Sequence, residues 1–332
     1  MIRFSSYMNE WLYGEGGYYQ DAMIGKAGDF YTAVSVSKFF GGSIANYLLN
    51  LLENGVLTLP LKIIEVGTHK GYLLNDVAQF LQTLSEGVVQ NCEFISIEPL
   101  PLMARFQKEY FIKHSNLELK IYQTFDELET DSNDCVFCFS NELFDAFACE
   151  LIDDNKMAYI KNHQIIWGDV LPEVDFFRKK YEIFQGEIPI LIEDFISCLI
   201  QKLNHFKDWI FLTFDYGDWE SRNDINLRVY KNHQVKNFLD IKEYLRDYYQ
   251  KSDITYDVNF SFLTKCFESF GAKKVLYGNQ GKVLIELGLM DLLEKFSQNT
   301  SYEGYLREIS KIKPLISPGG FGERFQGIVF KK

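Results

Sequence analysis

The sequence predicts an α/β fold, a doubly wound and largely parallel sheet carrying an N-terminal extension and inserted segments. Three observations lead there. From residue 61 onward, short apolar runs alternate with amphipathic helical stretches, the rhythm of parallel strands joined by crossover helices. The stretch "LKIIEVGTHKGYLLNDV" (61–77) has the shape of a strand, a glycine turn and a helix. Acids or amides close several of the apolar runs, at the strand ends where open parallel sheets hold their ligands.

Taken in order, residues 1–60 read as an N-terminal extension containing "GDF" at 28–30. Within it, Val36, Phe39, Phe40, Ile44, Tyr47, Leu48 and Leu51 recur at helical spacing, and Ser35 or Ser37 is placed to cap that helix. Residues 61–290 form the core. Its strands are "LKIIEV", "CEFISIE", "LELKIYQ", "DCVFCFS" and "DWIFLTFDYG". Its first helices are "YLLNDVAQFLQTLSE", with Leu73, Leu74, Val77, Phe80, Leu81 and Leu84 on one face, and "PLMARFQKEYF", opened by Pro101. Insertions fall at about 150–205 and 218–257, the second polar, turn-rich and a candidate lid. Next, "SFLTKCFESFGAKKVLYGNQGKVLIELGL" predicts a helix and then a hairpin of two strands around Asn279-Gln280-Gly281. Residues 291–332 are expected to form a helical tail.

With 332 residues, 47% of them hydrophobic, the chain is long enough for one large domain with a substantial core. A net charge of −12 disfavours nucleic acid, and no basic patch exceeds pairs such as Lys179-Lys180. It suits a basic protein or peptide partner, though solubility explains it equally well. Cys135 and Cys138 make the one CxxC pair among six cysteines. Three residues apart on a strand, they point to opposite faces, which predicts buried thiols and no metal site. No apolar leader and no run of 18 uncharged apolar residues is present, so membrane insertion is not expected and a cytoplasmic location is.

The chemistry concentrates at strand ends: Glu65, Glu98, and Asn141 with Glu142. A carboxylate closing the second strand can accept both hydroxyls of a ribose, an arrangement shared by dinucleotide and S-adenosylmethionine (SAM) sites. Glycine spacing separates the two. A dinucleotide fingerprint starting at Gly67 needs glycines where His69 and Tyr72 stand, which argues against a nicotinamide oxidoreductase. The pattern E-x-G-x-x-x-G, from Glu65 through Gly67 to Gly71, is the looser version found in methyltransferases.

Several separated motifs, in order and at consistent spacing, resemble the MidA family of SAM-dependent methyltransferases. They include "GDFYTAVSVSKFFG", "IIEVGTHKG", "ISIEPLPLMARFQ", "SNELFDAFACELI", "FDYG", "LRVYKNH", "SDITYDVNF" and "FGERFQ". The resemblance runs nearly the length of the chain and implies a class I, Rossmann-like methyltransferase core with SAM as cofactor. It further implies that Glu65, Gly67, Gly71, Glu98 and Asn141 bind the cofactor, and that Gly28, Asp29, Phe30 and Thr32 close over it. Glu142, supported by Asp145, is implied to hold the guanidinium of an arginine in a basic protein substrate, as in family members that methylate a respiratory complex I subunit. Helix capping by these two acids is the plainer alternative.

The chain departs from the family at marked places. The cofactor loop usually reads G-P-G-R-G and is here Gly67-Thr68-His69-Lys70-Gly71. Val34 and Ser35 replace a proline and an acid, Asp257 and Asn259 replace a histidine and an aspartate, and Ala148 stands where a proline is usual. These departures leave a second expectation open, a catalytically impaired assembly or interaction protein on the methyltransferase fold.

Overall fold

The computed structural model describes residues 1–21 and 33–332, which divide into two compact units. One is built on the parallel sheet and holds residues 33–142, Cys198–Asp215 and Phe270–Lys332. The other gathers the described N-terminal residues with Leu143–Ser197 and Tyr216–Ser269.

The sheet unit contains β1 (Leu61–Val66), β2 (Cys92–Ile97), β3 (Leu119–Tyr122), β4 (Cys135–Asn141), β5 (Trp209–Asp218, as far as Asp215), β6 (Lys273–Asn279) and β7 (Phe325–Lys331). Their order is β6-β7-β5-β4-β1-β2-β3. From β5 across to β3 the neighbours run parallel, while β6 and β7 pair antiparallel. The order reverses at β1: the chain builds β2 and β3 on one side, then returns to lay β4 and β5 on the other. Such a switch point opens a crevice at the carboxyl ends of the strands.

Helices α1 (Phe39–Glu53), α2 (Tyr72–Leu84) and α3 (Pro101–Ser115) belong to this unit. Ile63, Ile64, Phe137, Cys138 and Leu212 are fully buried, as expected of parallel strands covered on both faces. Cys135 and Cys138 are both buried free thiols, and burial pushes the Cys138 thiol up. Ser37 Oγ accepts the Phe39 N–H at 3.2 Å at the start of α1.

Two expectations at the C-terminal end are corrected. After β6 the chain forms a helix, Gln280–Glu286, and not the second strand of a hairpin. Asn279 caps it by accepting the Lys282 N–H at 3.0 Å, and Val283, Leu284 and Leu287 bury on one helical face. The tail is helical over Leu289–Gln298 and Tyr302–Ile316, but then supplies β7 to the sheet.

The second unit is largely antiparallel. Glu150–Asp153 pairs with Lys156–Lys161 and Gly186–Ile188, and Lys156–Lys161 pairs in turn with Ile2–Arg3 and Gln164–Gly168. Arg228–Lys231 lies between Gln234–Asn237 and Asp253–Thr255 in a small sheet drawn from the stretch expected as a lid. Phe4, Met8, Trp11, Leu151, Leu227 and Ile254 form its core. Among the described residues, no helix is long and apolar enough to cross a membrane.

Candidate active site

Strand register sets the site. Val66 pairs with Ile97 of β2 and Ser140 of β4, so Gly67, Glu98 and Asn141 stand level at three adjacent strand ends. The turn from β1 to α2 runs through left-handed backbone at Gly67 (φ 67°), His69 (φ 49°) and Gly71 (φ 75°). Two of these positions are glycine, which adopts that region without steric cost; His69 is not.

Glu65, inside β1, is buried and accepts the Leu74 N–H of α2 through Oε2 at 3.0 Å. Desolvation pushes its carboxyl well above the usual range. Glu98 accepts the Leu100 N–H through Oε1 at 3.0 Å and Gln107 Nε2 through Oε2 at 2.9 Å. Burial raises its carboxyl too, partly offset by those two hydrogen bonds. Burial drives the His69 imidazole down to about 4, helped by the neighbouring Lys70 charge, so the ring is neutral near pH 7. Among the described residues, His69 Nε2 and Asn141 Oδ1 are buried without a hydrogen-bond partner.

Asn141 ends β4, and its Nδ2 donates to Glu142 Oε1 at 2.9 Å. Glu142 takes a left-handed backbone, φ 53°, with its N–H donated to Phe214 O at 2.9 Å. A glutamate held there is uncommon, and such conformations cluster at functional sites. Thus Glu65, Gly67, Gly71, Glu98, Asn141 and Glu142 all lie in the sheet unit at or beside its strand ends. Asp145 belongs to the other unit, buried in the 3-10 turn Phe144–Ala146, with its carbonyl accepting the Tyr256 N–H at 3.2 Å. The element that follows Glu142 is the three-residue 3-10 turn, with Leu143 at its N-cap position, and not the helix that the capping alternative expects. Gly28, Asp29, Phe30 and Thr32 lie outside the described residues.

Two departures from the family pattern acquire structural roles within the second unit. Asp257 pairs with Arg228 and, at 3.1 Å, with Arg222. Asn259 Oδ1 accepts the Phe262 N–H at 3.0 Å at the start of the helix Phe260–Ser269. Among the described residues, no cluster of histidine, cysteine or carboxylate side chains is arranged to hold a metal.

Gln107 is the site residue that sequence reasoning missed. It faces inward on α3 with Phe111 and Ser115, at steps of four residues. That helical spacing of one amide among apolar or small residues was the available signal.

A family model described as "Putative S-adenosyl-L-methionine-dependent methyltransferase" matches residues 43–277. The chain belongs to this family of SAM-dependent methyltransferases. It is similar to the mitochondrial protein arginine methyltransferase NDUFAF7 of Danio rerio, 22% identical, with 98% of this chain and 82% of that protein covered. A homolog of that enzyme in Caenorhabditis elegans is also 22% identical, over 85% of this chain and 71% of that protein. Among solved structures, a COG1565 superfamily member from Burkholderia thailandensis, crystallised with S-adenosyl-homocysteine, superposes with a TM-score of 0.80 at 20% identity. It covers 100% of this chain and 88% of that one. The fold is accordingly the Rossmann-like one of SAM-dependent methyltransferases, and the cofactor is SAM.

The residues present fit that cofactor. Each Glu98 oxygen accepts one N–H from the chain and retains a lone pair for a ribose hydroxyl. Glu65 adds a buried acid beside the loop, suited to the cationic methionine end. The unpartnered His69 Nε2 and Asn141 Oδ1 are polar atoms for which a ligand at this edge supplies partners.

Proposed function

We propose that this methyltransferase acts on an arginine of a basic protein substrate, with a respiratory-complex subunit as the substrate class implied by the family resemblance. The observation that carries the reading is Glu142, an acid fixed in left-handed backbone one residue past the end of β4 and steadied by Asn141. An arginine guanidinium stays protonated and meets a carboxylate through two parallel hydrogen bonds, which orients its nitrogens. When bound, SAM supplies an electrophilic methyl group on its sulfonium. The part of Glu142 is to present one guanidinium nitrogen to it, a gain of orientation. The arginine methyltransferase names of the relatives support the reading, and a net charge of −12 suits a basic partner.

The test is incubation with methyl-labelled SAM and a panel of basic proteins, followed by hydrolysis and amino-acid analysis. Labelled methylarginine is the expected product; label confined to other amino acids would contradict the arginine reading. Glu142→Gln should leave SAM affinity within about twofold while lowering transfer by about 10²-fold or more. Turnover that survives the substitution removes Glu142 from the clamp role. Asp145→Asn, assayed alongside, measures the contribution of the second acid.

A second reading, an assembly or interaction protein that has lost turnover, is favoured by the altered cofactor loop, where an imidazole sits at φ 49°, and by the changed "DITYDVNF" stretch. Failure of the purified protein to bind SAM would support it.

A further inference from the structure

Beneath the cofactor edge lies a buried polar network centred on Gln107, a fully buried side chain. Both hydrogens of its Nε2 are engaged, one with His69 O at 2.7 Å and one with Glu98 Oε2 at 2.9 Å. Its Oε1 accepts the Ser96 hydroxyl at 2.8 Å. Ser96 Oγ in turn lies 2.7 Å from Thr68 Oγ1. With the Ser96 proton on Gln107, the Thr68 hydroxyl is the donor of that 2.7 Å contact, and it shares its proton with Glu65 O at 3.2 Å. One amide therefore ties two consecutive loop residues, Thr68 and His69, to the residues on either side of the end of β2, Ser96 and Glu98.

We infer that Gln107 is the positioning residue of the cofactor site, holding the Glu98 carboxylate while restraining the loop in the left-handed turn that His69 would otherwise resist. This rests on the cofactor reading of the sheet edge and is independent of which nucleophile takes the methyl group. A carboxylate at 107 offers no donor to either partner, and a hydrocarbon takes one hydrogen-bond partner from each of His69 O, Glu98 Oε2 and Ser96 Oγ. The restraint on residue 69 matters because a non-glycine residue is disfavoured at φ 49°, whereas glycine populates that region freely.

The two functions separate in a double-mutant cycle read by calorimetric titration with SAM and S-adenosylhomocysteine. Gln107→Met should weaken both ligands by about ten- to a hundredfold, the loss expected when a hydrogen bond to a charged acceptor disappears. In a His69→Gly background the same substitution should cost at least about fivefold less, because the loop then needs no restraint. Unchanged affinity for Gln107→Met, or equal losses in the two backgrounds, would overturn the assignment. If Gln107→Met does not fold, Gln107→Glu, close in shape, takes its place. Amide hydrogen exchange over residues 68–71 of the ligand-free protein then reads loop order directly. Faster exchange than in wild type is expected, and equal protection would contradict the restraint.

Discussion

Glu98 and Glu65 are acids that burial disfavours as anions, yet each is held by backbone N–H groups that favour the anion. Glu98 is the acceptor we assign to two ribose hydroxyls. Glu98→Ala should therefore raise the SAM dissociation constant about ten- to a hundredfold in calorimetric titration, and an unchanged constant would place the ribose elsewhere. Asp76 on α2, close enough to Glu65 to raise its carboxyl, offers a test of the electrostatics beside the site. Desolvation raises its carboxyl to about 7 from 3.8, against a weak pull from Lys38 at 3.9 Å. With the folded value above the unfolded one, the stabilising contribution is complete below about pH 3.8 and is lost as pH rises through about 7. Asp76→Asn should thus be more stable than wild type in chemical denaturation at pH 8, by up to about 4 kcal/mol, with the gain shrinking as pH falls toward 4. A gain independent of pH would show that Asp76 titrates normally. The acids at strand ends were legible in the sequence because apolar runs reveal where strands stop. Gln107 was not, since its partners His69 and Glu98 lie 38 and 9 residues away and only the fold brings them together.

At the scale of elements, α1 and α2 approach closely through glycine. A Cβ added at Gly41 would lie 2.8 Å from Asp76 Cβ and 3.2 Å from the Val77 nitrogen, which belongs to the backbone and cannot swing aside. Gly41→Ala gains about 1 kcal/mol in helix propensity but forces the two helices apart. The net expectation is a loss of about 1–2 kcal/mol in chemical denaturation. A stabilised variant would mean that the helices separate without cost. The parallel strands β1 to β5 could be read directly, because burial on both faces leaves continuous apolar runs. "GKVLIELG" could not: its apolar residues fit a strand as well as a helix, and the Asn279 cap and the left-handed Gly288 (φ 89°) decide for helix. Strand β7 was hidden for a different reason. It is a short run after a glycine-rich turn, and its place is fixed by pairing with β6, where Leu276 meets Val329.

For the whole molecule, the segments read as an N-terminal extension and insertions show no compositional boundary that betrays a second unit. Helix Phe4–Tyr13 joins a core with residues more than two hundred positions away, such as Leu227 and Ile254, whereas α1 from the same extension packs into the sheet unit. Such long-range gathering is a property of topology and leaves no local signature. The family pattern, by contrast, was legible from short motifs at strand ends, since these follow from the position of the cofactor in the fold. We propose that the loop Gly67–Gly71, with His69 in place, is a working SAM site. Calorimetric titration of the wild-type protein with SAM and S-adenosylhomocysteine decides this. Saturable binding near one ligand per chain, with a dissociation constant on the order of micromolar, is the predicted result. No binding of either ligand at millimolar concentration would contradict it.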